Sequence, residues 1–582
     1  MRDLQSAESH PPMPDVSCLG AAGSRWLFGE GSHHVPVRLR RIENARILWL
    51  NLGAAEADPQ FAACGGDAAR YEEHLLSACA YLVDEEAWTS GAETTGHADR
   101  YGGLGIGANG GSGRAVVVNG YLVKGCGRTP LVSALTDPAH ASGGAYLEES
   151  VREVIYGEIV RAEFPHSAIP ALAIIDTGLV QEWQESAGPK LERRTLLVRP
   201  CFVRPAHFQR ATAFHSGYPK EGMFDTLRVA ACFARTGAAW GAQTLAALYE
   251  RLWVNWAQQL AYSFVHRLPH GSNTVSNIAL DGKLLDFGAT SAVPSWANVA
   301  TMLASLPFSR HFATLPDALR ASAYFFGRYL DPVFATEERI AMLAERARSA
   351  YRQTLAGEAL RLCGVPREAA QAAACGPDGA LLWSTVAALI GYFQCERIDM
   401  VHASPQPALA WDLAAVWDEA PPAHLLALRA LLDDLVAPAQ RAAAARQCAR
   451  LCADRTGLYR EAAKRAIFRA VDPSHAGEAP DPVHIGRFIR EQIAGGRRDH
   501  RIELAHAATV GFAAGADGAW IIARCDHGGG LFAVRESAGD TQRLPIRRLT
   551  AYTIEFADPA LPVLEAAVRI AAPFADLPEA SA

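Results

Sequence analysis

The sequence predicts an α+β fold of two lobes, with an N-terminal extension, a mostly helical C-terminal region and a small appended α/β unit. Three observations predict it. A glycine-rich stretch, Tyr101–Gly113, feeds two short apolar segments on either side of Asn119–Gly120. A long amphipathic stretch, Gly241–Arg267, runs directly into the polar loop His270–Asn277. Ala- and Leu-rich helical spacing fills residues 289–470, broken by prolines, and strand-like patterns return after about residue 480. The chain then divides into an extension (1–95), a sheet-rich lobe with the glycine loop (96–210), a helical lobe (211–475) and the appended unit (476–582).

Composition narrows the function. Of 582 residues, half are hydrophobic and a fifth charged, the balance of a soluble globular enzyme of two or three domains. A net charge of −7 argues against a general nucleic-acid binder. The run Arg497–Arg501 is short, holds Asp499 and reads as a solvated loop. The first residues, MRDLQSAESHPPMPDV, lack the apolar core of a signal peptide, and no run reaches the ~18 apolar residues of a membrane span. Neither nucleic acid nor membrane is an expected partner. Twelve cysteines are scattered without paired C-x-x-C modules, as expected of reduced thiols in a cytoplasm. Cys448 and Cys452, four apart, read as helix packing, and His33–His34 as a surface turn.

Taken in order, residues 1–40 read as irregular. Arg41–Leu52 and Leu75–Val83 hold short apolar segments, and Ser90–Asp99 reads as a polar loop. Gly105, Gly107 and Gly110 satisfy G-x-G-x-x-G, where bare backbone lets amides approach a phosphate. No helix follows, which excludes the dinucleotide-binding fold. Instead Ala115–Val118 and Tyr121–Lys124 flank Asn-Gly, the signal of a type I′ hairpin. Lys124, beside Leu122 and Val123, needs a partner or an exposed face. Glu148–Glu163 is predicted helical from Val151, Val154, Ile155 and Ile159, with Glu153 off that stripe and aligned with Gly157. Glu153 is the expected partner of Lys124. In Leu196–Phe208, Arg199 and Arg204 flank an apolar segment; they read either as surface charges or as guanidinium forks for phosphates.

Gly241–Arg267 carries Leu245, Leu248, Tyr249, Leu252, Trp256, Leu260 and Phe264 at helical spacing. It delivers His270, which lies seven residues before Asn277, and a short strand, Lys283–Leu285, then delivers Asp286 in Asp-Phe-Gly. Protein kinases hold their magnesium with a loop asparagine and such an aspartate, and pair a strand lysine with a helix glutamate. The four signals occur here in that order, so the lobes are expected to be protein-kinase-like. The expected cofactors are ATP and Mg²⁺ or Mn²⁺, with Asn277 and Asp286 as metal ligands. The aspartate that a kinase places two residues after the histidine is Ser272.

These residues resemble the selenoprotein-O (YdiU-type) pseudokinases over roughly Tyr101–Gly288, about a third of the chain. The likeness rests on Gly111–Ala115, Lys124–Pro130, Ser150–Glu153, Arg199 with Val203–Phe208, and His270–Gly288. The resemblance implies transfer of AMP from ATP to a protein hydroxyl, with the nucleotide bound in a flipped orientation. It implies an ion pair of Lys124 with Glu153, metal ligation by Asn277 and Asp286, and phosphate contacts from Arg114, Arg199 and Arg204. It also aligns Ser142–Gly143 with an Asp-Gly of the family's nucleotide loop. The chain departs from the family at Ser276, which stands where an aspartate precedes the metal asparagine. The two arginines are closer together than in the family. The C-terminal redox cysteine motif is absent, since the last hundred residues hold only Cys525.

The expected function is therefore an ATP-dependent nucleotidyltransferase acting on a protein or peptide side chain. Two other readings stand beside it. One is a peptide-tailoring enzyme that works through a phosphoryl or adenylyl intermediate. The other is an ATP-binding scaffold without turnover, suggested by Ser272 and Ser276.

Overall fold

The structure, a computed structural model, describes residues 14–19, 35–84, 91–132 apart from 112, 136, 138–212 apart from 186 and 187, 225–300, 308–399, 408–471 apart from 454, and 477–497. Beyond residue 506 it describes strand segments between 507 and 570. His33–His34 and residues 498–501 of the arginine run lie outside the described residues.

The fold is mixed α+β, built on one curled antiparallel sheet. Its strands are β1 (Val35–Arg41), β2 (Arg46–Leu50), β3 (Tyr81–Val83), β4 (Glu93–Ala98), β5 (Ala115–Val118), β6 (Tyr121–Lys124), β7 (Ala145–Tyr146), β8 (Ala173–Glu185) and β9 (Gly188–Pro200). Their order is β2-β8-β9-β6-β5-β4-β1-β3, with β7 also on β9. The hairpin β5–β6 spans the residues expected from its Asn-Gly turn, with Asn119 and Gly120 both at positive φ. Two expectations fail here. Ser90–Asp99 is not a loop over its whole length: 93–98 form β4, held between β1 and β5. The sheet also runs through residue 95, the expected end of an extension, because β1 pairs with β4.

The period of two along a strand decides which charges meet. Leu122 and Leu197 face one core cluster; Val123, Leu196 and Val198 face the other. Lys124 and Arg199 share the parity of Leu122 and Leu197, so both stand on the first face. The helix Leu147–Glu163 covers that face. Glu148 and Glu149 lie in its first turn, where carboxylates suit the positive end of the helix. It is buried on most sides, because the helices Arg460–Val471 and Pro482–Gly496 pack on its back.

The chain then leaves the sheet through 201–210 and enters the helices Asp225–Trp240 and Ala242–Val265. The second is the long helix expected from Leu245 to Phe264, and Trp253 and Trp256 are fully buried on it. It packs along Glu337–Leu362 in a helical C-terminal region. Two short parallel strands, β10 (Asn298–Ala300) and β11 (Arg397–Asp399), stitch this region together. Among the described residues no single helix is long and apolar enough to cross a membrane.

The terminal unit opens on the helix Pro482–Gly496 and continues in strands. β12 (Ala507–Gly515), β13 (Gly518–Cys525), β14 (Leu531–Ser537), β15 (Asp540–Leu549), β16 (Thr553–Phe556), β17 (Leu564–Glu565) and β18 (Arg569–Ile570) form an antiparallel sheet, ordered β17-β16-β15-β14-β13-β12-β18. The helix before it, Pro482–Gly496, also packs on β2 and on the helix Leu147–Glu163.

Candidate functional site

Four segments distant in sequence meet at Lys124. The lysine Nζ forms an ion pair with Glu153 Oε1, lies 2.9 Å from Glu149 Oε1 and 3.7 Å from Asp286 Oδ1. Glu153 is 1 % exposed, so the residue off the apolar stripe is buried, not solvated. Its other oxygen accepts from the Arg199 guanidinium. Glu149, four residues earlier on the same helix face, is gripped by both terminal nitrogens of Arg114 at 2.8 and 3.1 Å. Arg114 also donates to the carbonyl of Gly144 at 3.0 Å. Sequence reasoning missed Glu149; its signal was the i, i+4 spacing to Glu153.

The cluster holds three cations, Lys124, Arg114 and Arg199, against three carboxylates, Glu149, Glu153 and Asp286. Burial alone would lower the lysine pKa, but Asp286, Glu149 and Glu153 outweigh it and hold it above the ordinary lysine value. Burial would raise the Asp286 carboxyl; Lys124, Arg114 and Arg199 hold it well below the usual carboxylate range instead. Asp286 is also the open member, with its side chain 47 % exposed where Lys124 is 11 % exposed. The Nε atoms of Arg114 and Arg199 are buried with no hydrogen-bond partner. Unsatisfied buried donors beside a lysine suit phosphate oxygens.

The loop His270–Gly288 positions Asp286. His270 is buried; its Nε2 faces the carbonyl of Leu285 at 2.9 Å, and its Nδ1 accepts from the Ser272 amide at 3.4 Å. Burial pushes its imidazole pKa down, so the ring is a neutral strut with both nitrogens engaged. The Leu285 amide donates to Asn277 O at 3.1 Å. The expected strand Lys283–Leu285 is only a pair of isolated bridges, through Leu284 to Ala168 and Ile278. Asp286 itself has a left-handed backbone, φ 65°, and Phe287 turns inward against His270 and Gly157. A Cβ on Gly157 would stand 3.2 Å from the Phe287 ring. That close approach explains the glycine in the middle of a helix.

The metal expectation meets a mixed result. Among the described residues no cluster of three His, Cys, Asp or Glu side chains forms a cage. Asn277 Nδ2 donates to Ser272 O and Oγ at 3.0 and 2.9 Å, which leaves Oδ1 without a donor among the described residues. One amide oxygen and one half-exposed carboxylate are donor types that magnesium accepts, with waters completing its shell.

Several site expectations need correction. Among the described residues Arg204 is not a member of the ion-pair network of Lys124. Its terminal nitrogens are spent on Asp99 at 2.6 Å and on the Ser276 carbonyl at 2.8 Å, and its guanidinium lies over Tyr101 and Phe202. His207 shares Asp99 at 2.8 Å. This second buried cluster fastens the strand before the glycine loop to the loop that carries Asn277. The glycines form no open cradle around a ligand either. Gly105–Asn109 is a 3₁₀ turn, and a Cβ on Gly107 would stand 2.2 Å from the Gly102 carbonyl. Gly110 sits at φ 99° and donates to Gly107 O at 3.0 Å. Gly102 and Gly103 in turn donate to Ala206 O and Arg210 O. The glycines let this loop pack on itself and on 206–210.

Ser142 and Gly143 likewise brace the chain. Ser142 Oγ bonds Tyr146 Oη at 2.8 Å, and Gly143 at φ 77° abuts Gly127 and Arg128. Ser276 Oγ bonds Thr274 Oγ1 at 2.8 Å. Cys448 and Cys452 are neighbours in a helix, 3.8 Å between sulfurs, as packing residues. Neither a scan against protein-family models nor a search of curated proteins returned a match to this chain.

Proposed function

We propose that this chain is an ATP-dependent nucleotidyltransferase of protein-kinase-like fold, akin to the selenoprotein-O pseudokinases, which transfers AMP to a hydroxyl of a protein or peptide. The observation that carries it is the convergence of Lys124, Glu153 and Asp286, each from a separate segment, within one ion-pair network. Lys124 stands on the third strand counted from the one that enters the glycine loop, the position of a kinase lysine. Asn277 and Asp286 would hold Mg²⁺ or Mn²⁺, which supplies neutralisation of phosphate charge when bound with ATP.

The chain's own residues do the rest. Lys124, set in place by Glu149 and Glu153, binds phosphate oxygens, and Arg114 and Arg199 offer their unpartnered Nε atoms beside it. The acceptor oxygen attacks the α-phosphorus, its proton passes to solvent, the α–β bridging P–O bond breaks, and pyrophosphate leaves. Such a step depends mainly on positioning and on charge stabilisation, not on a strong base. The loop supports that choice: Ser272 and Ser276 replace carboxylates, and both His270 nitrogens are engaged.

ATP labelled at the α or the γ phosphate tests the proposal. Label from the α position retained on a protein or peptide, and none from γ, is expected. Label from γ alone would make the chain a kinase. ATP consumption with no retained label would favour a tailoring enzyme, and no turnover a scaffold.

A further inference from the structure

Glu149 and Glu153 stand one turn apart on the helix Leu147–Glu163, and both reach Lys124, but they are held differently. Glu153 is buried, with its second oxygen on Arg199. Glu149 lies in the first turn of the helix with its side chain 18 % exposed. Its Oε1 is 2.9 Å from Lys124 Nζ and accepts from Arg114 Nη2 at 2.8 Å. Its Oε2 accepts from Arg114 Nη1 at 3.1 Å. One oxygen is shared by lysine and arginine, and the other closes a fork on the arginine. A phosphate takes the same grip from such a pair.

Charge balance makes this seat a contested one. Lys124, Arg114 and Arg199 are already matched by Glu149, Glu153 and Asp286. Burial would raise the Glu149 carboxyl; Arg114 and Lys124 hold it below the usual carboxylate range instead, so it keeps its charge. A triphosphate brought to the matched cluster meets three carboxylates as well as three cations, and like charges at short range in a buried site repel. One carboxylate has to yield. Glu153 is buried between Lys124 and Arg199, and Asp286 is the proposed metal ligand. Glu149, at the helix start and partly exposed, has a route to water.

We propose that Glu149 is a displaceable stand-in for phosphate: it holds the seat of an ATP phosphate on Lys124 and Arg114, and swings to solvent as the nucleotide enters. The inference rests on the nucleotide-site reading above. It makes Glu149 a selectivity residue. Adenosine, which carries no charge to compete for the two cations, leaves the carboxylate in place. A triphosphate with its metal engages both cations and offsets the displacement. The apparent affinity for ATP is then lowered by the fraction of molecules in which Glu149 holds the seat.

Calorimetric titration of the full chain and of Glu149→Gln with ATP and Mg²⁺ tests this. Glutamine keeps the size of the side chain and removes its charge. ATP is expected to bind the variant on the order of ten-fold more tightly, the scale of one charge-assisted contact that no longer has to be broken. Adenosine is expected to bind both proteins alike. The sign for ATP is opposite to that expected of Glu153→Ala. Equal or weaker ATP binding by Glu149→Gln overturns the proposal and leaves the nucleotide reading standing, and so does a gain that adenosine shares. ATP binding by neither protein overturns both. Carbodiimide labelling of carboxylates in the natural chain, read by mass spectrometry, decides without a variant. ATP with Mg²⁺ should raise the labelling of Glu149; ATP binding with that labelling unchanged or lowered overturns the proposal.

Discussion

Lys124 is held by two carboxylates at once, and each carboxylate has an arginine of its own. Removing one member therefore strands the others unevenly. Lys124→Ala leaves Glu153 with Arg199 and Glu149 with Arg114, so the fold survives while ATP binding weakens. Glu153→Ala frees Arg199 and loosens the lysine, and acts in the same direction on ATP. Because the two touch, the double variant should lose less than the sum of the singles. Strict additivity in ATP titrations would mean that they do not act together. The pairing of Lys124 with Glu153 was legible in the sequence because kinase chemistry needs both. Arg204 was not, since an arginine that serves a phosphate and one that serves Asp99 look alike until Asp99 is placed beside it.

His270 gives a pH prediction at the same scale. Its folded pKa is depressed by burial, so the unfolded chain binds more protons near the ordinary imidazole value of about 6.5. Stability then rises with pH through that region, and is lost as pH falls below it. His270→Gln should flatten this part of the slope in denaturant midpoints measured from pH 7 down to pH 5. An unchanged slope would place the proton elsewhere.

At the scale of elements, the contact between Gly157 and Phe287 links the glutamate-bearing helix to the turn that carries Asp286. Gly157→Leu has no room beside the ring, and overpacking costs about 1–3 kcal/mol. Phe287 must move, and Asp286 with it. A misplacement of that kind lowers the rate about a hundred-fold when geometry is critical. Gly157→Ala needs a shift of only a few tenths of an ångström and should lose far less. Equal activity for both variants would disconnect the helix from the turn.

Arg204 is the fastener between two other elements. Arg204→Ala takes the arginine partner from buried Asp99, leaving His207 on it, and should cost about 3 kcal/mol of stability. Arg204→Met with Asp99→Asn should recover part of that loss in thermal melts, because the buried charge is then gone. No recovery would return Arg204 to a ligand-binding role. Element boundaries were legible where local chemistry fixes them, as at the β5–β6 turn. They were not at β4, whose sequence ETTGHA is polar and becomes a strand only because β1 and β5 hold both its edges. The glycine pattern was legible as a loop, but its packing on 206–210 depends on contacts distant in sequence.

For the whole molecule, the sheet lobe contributes Lys124, its helix contributes Glu149 and Glu153, and the helical lobe contributes Asn277 and Asp286. The order of these signals along the chain was readable, because each sits in a local pattern. Their meeting follows from strand parity and from the burial of the helix Leu147–Glu163, which sequence spacing only partly encodes. The central claim is that they form one metal-dependent ATP site. Calorimetric titration of ATP with and without Mg²⁺, on the natural chain and on Asp286→Ala, tests it most directly. Mg²⁺ should tighten ATP binding to the natural chain and have no such effect on Asp286→Ala, because the carboxylate proposed to hold the metal is gone. Equal, magnesium-enhanced binding by both proteins would contradict the account.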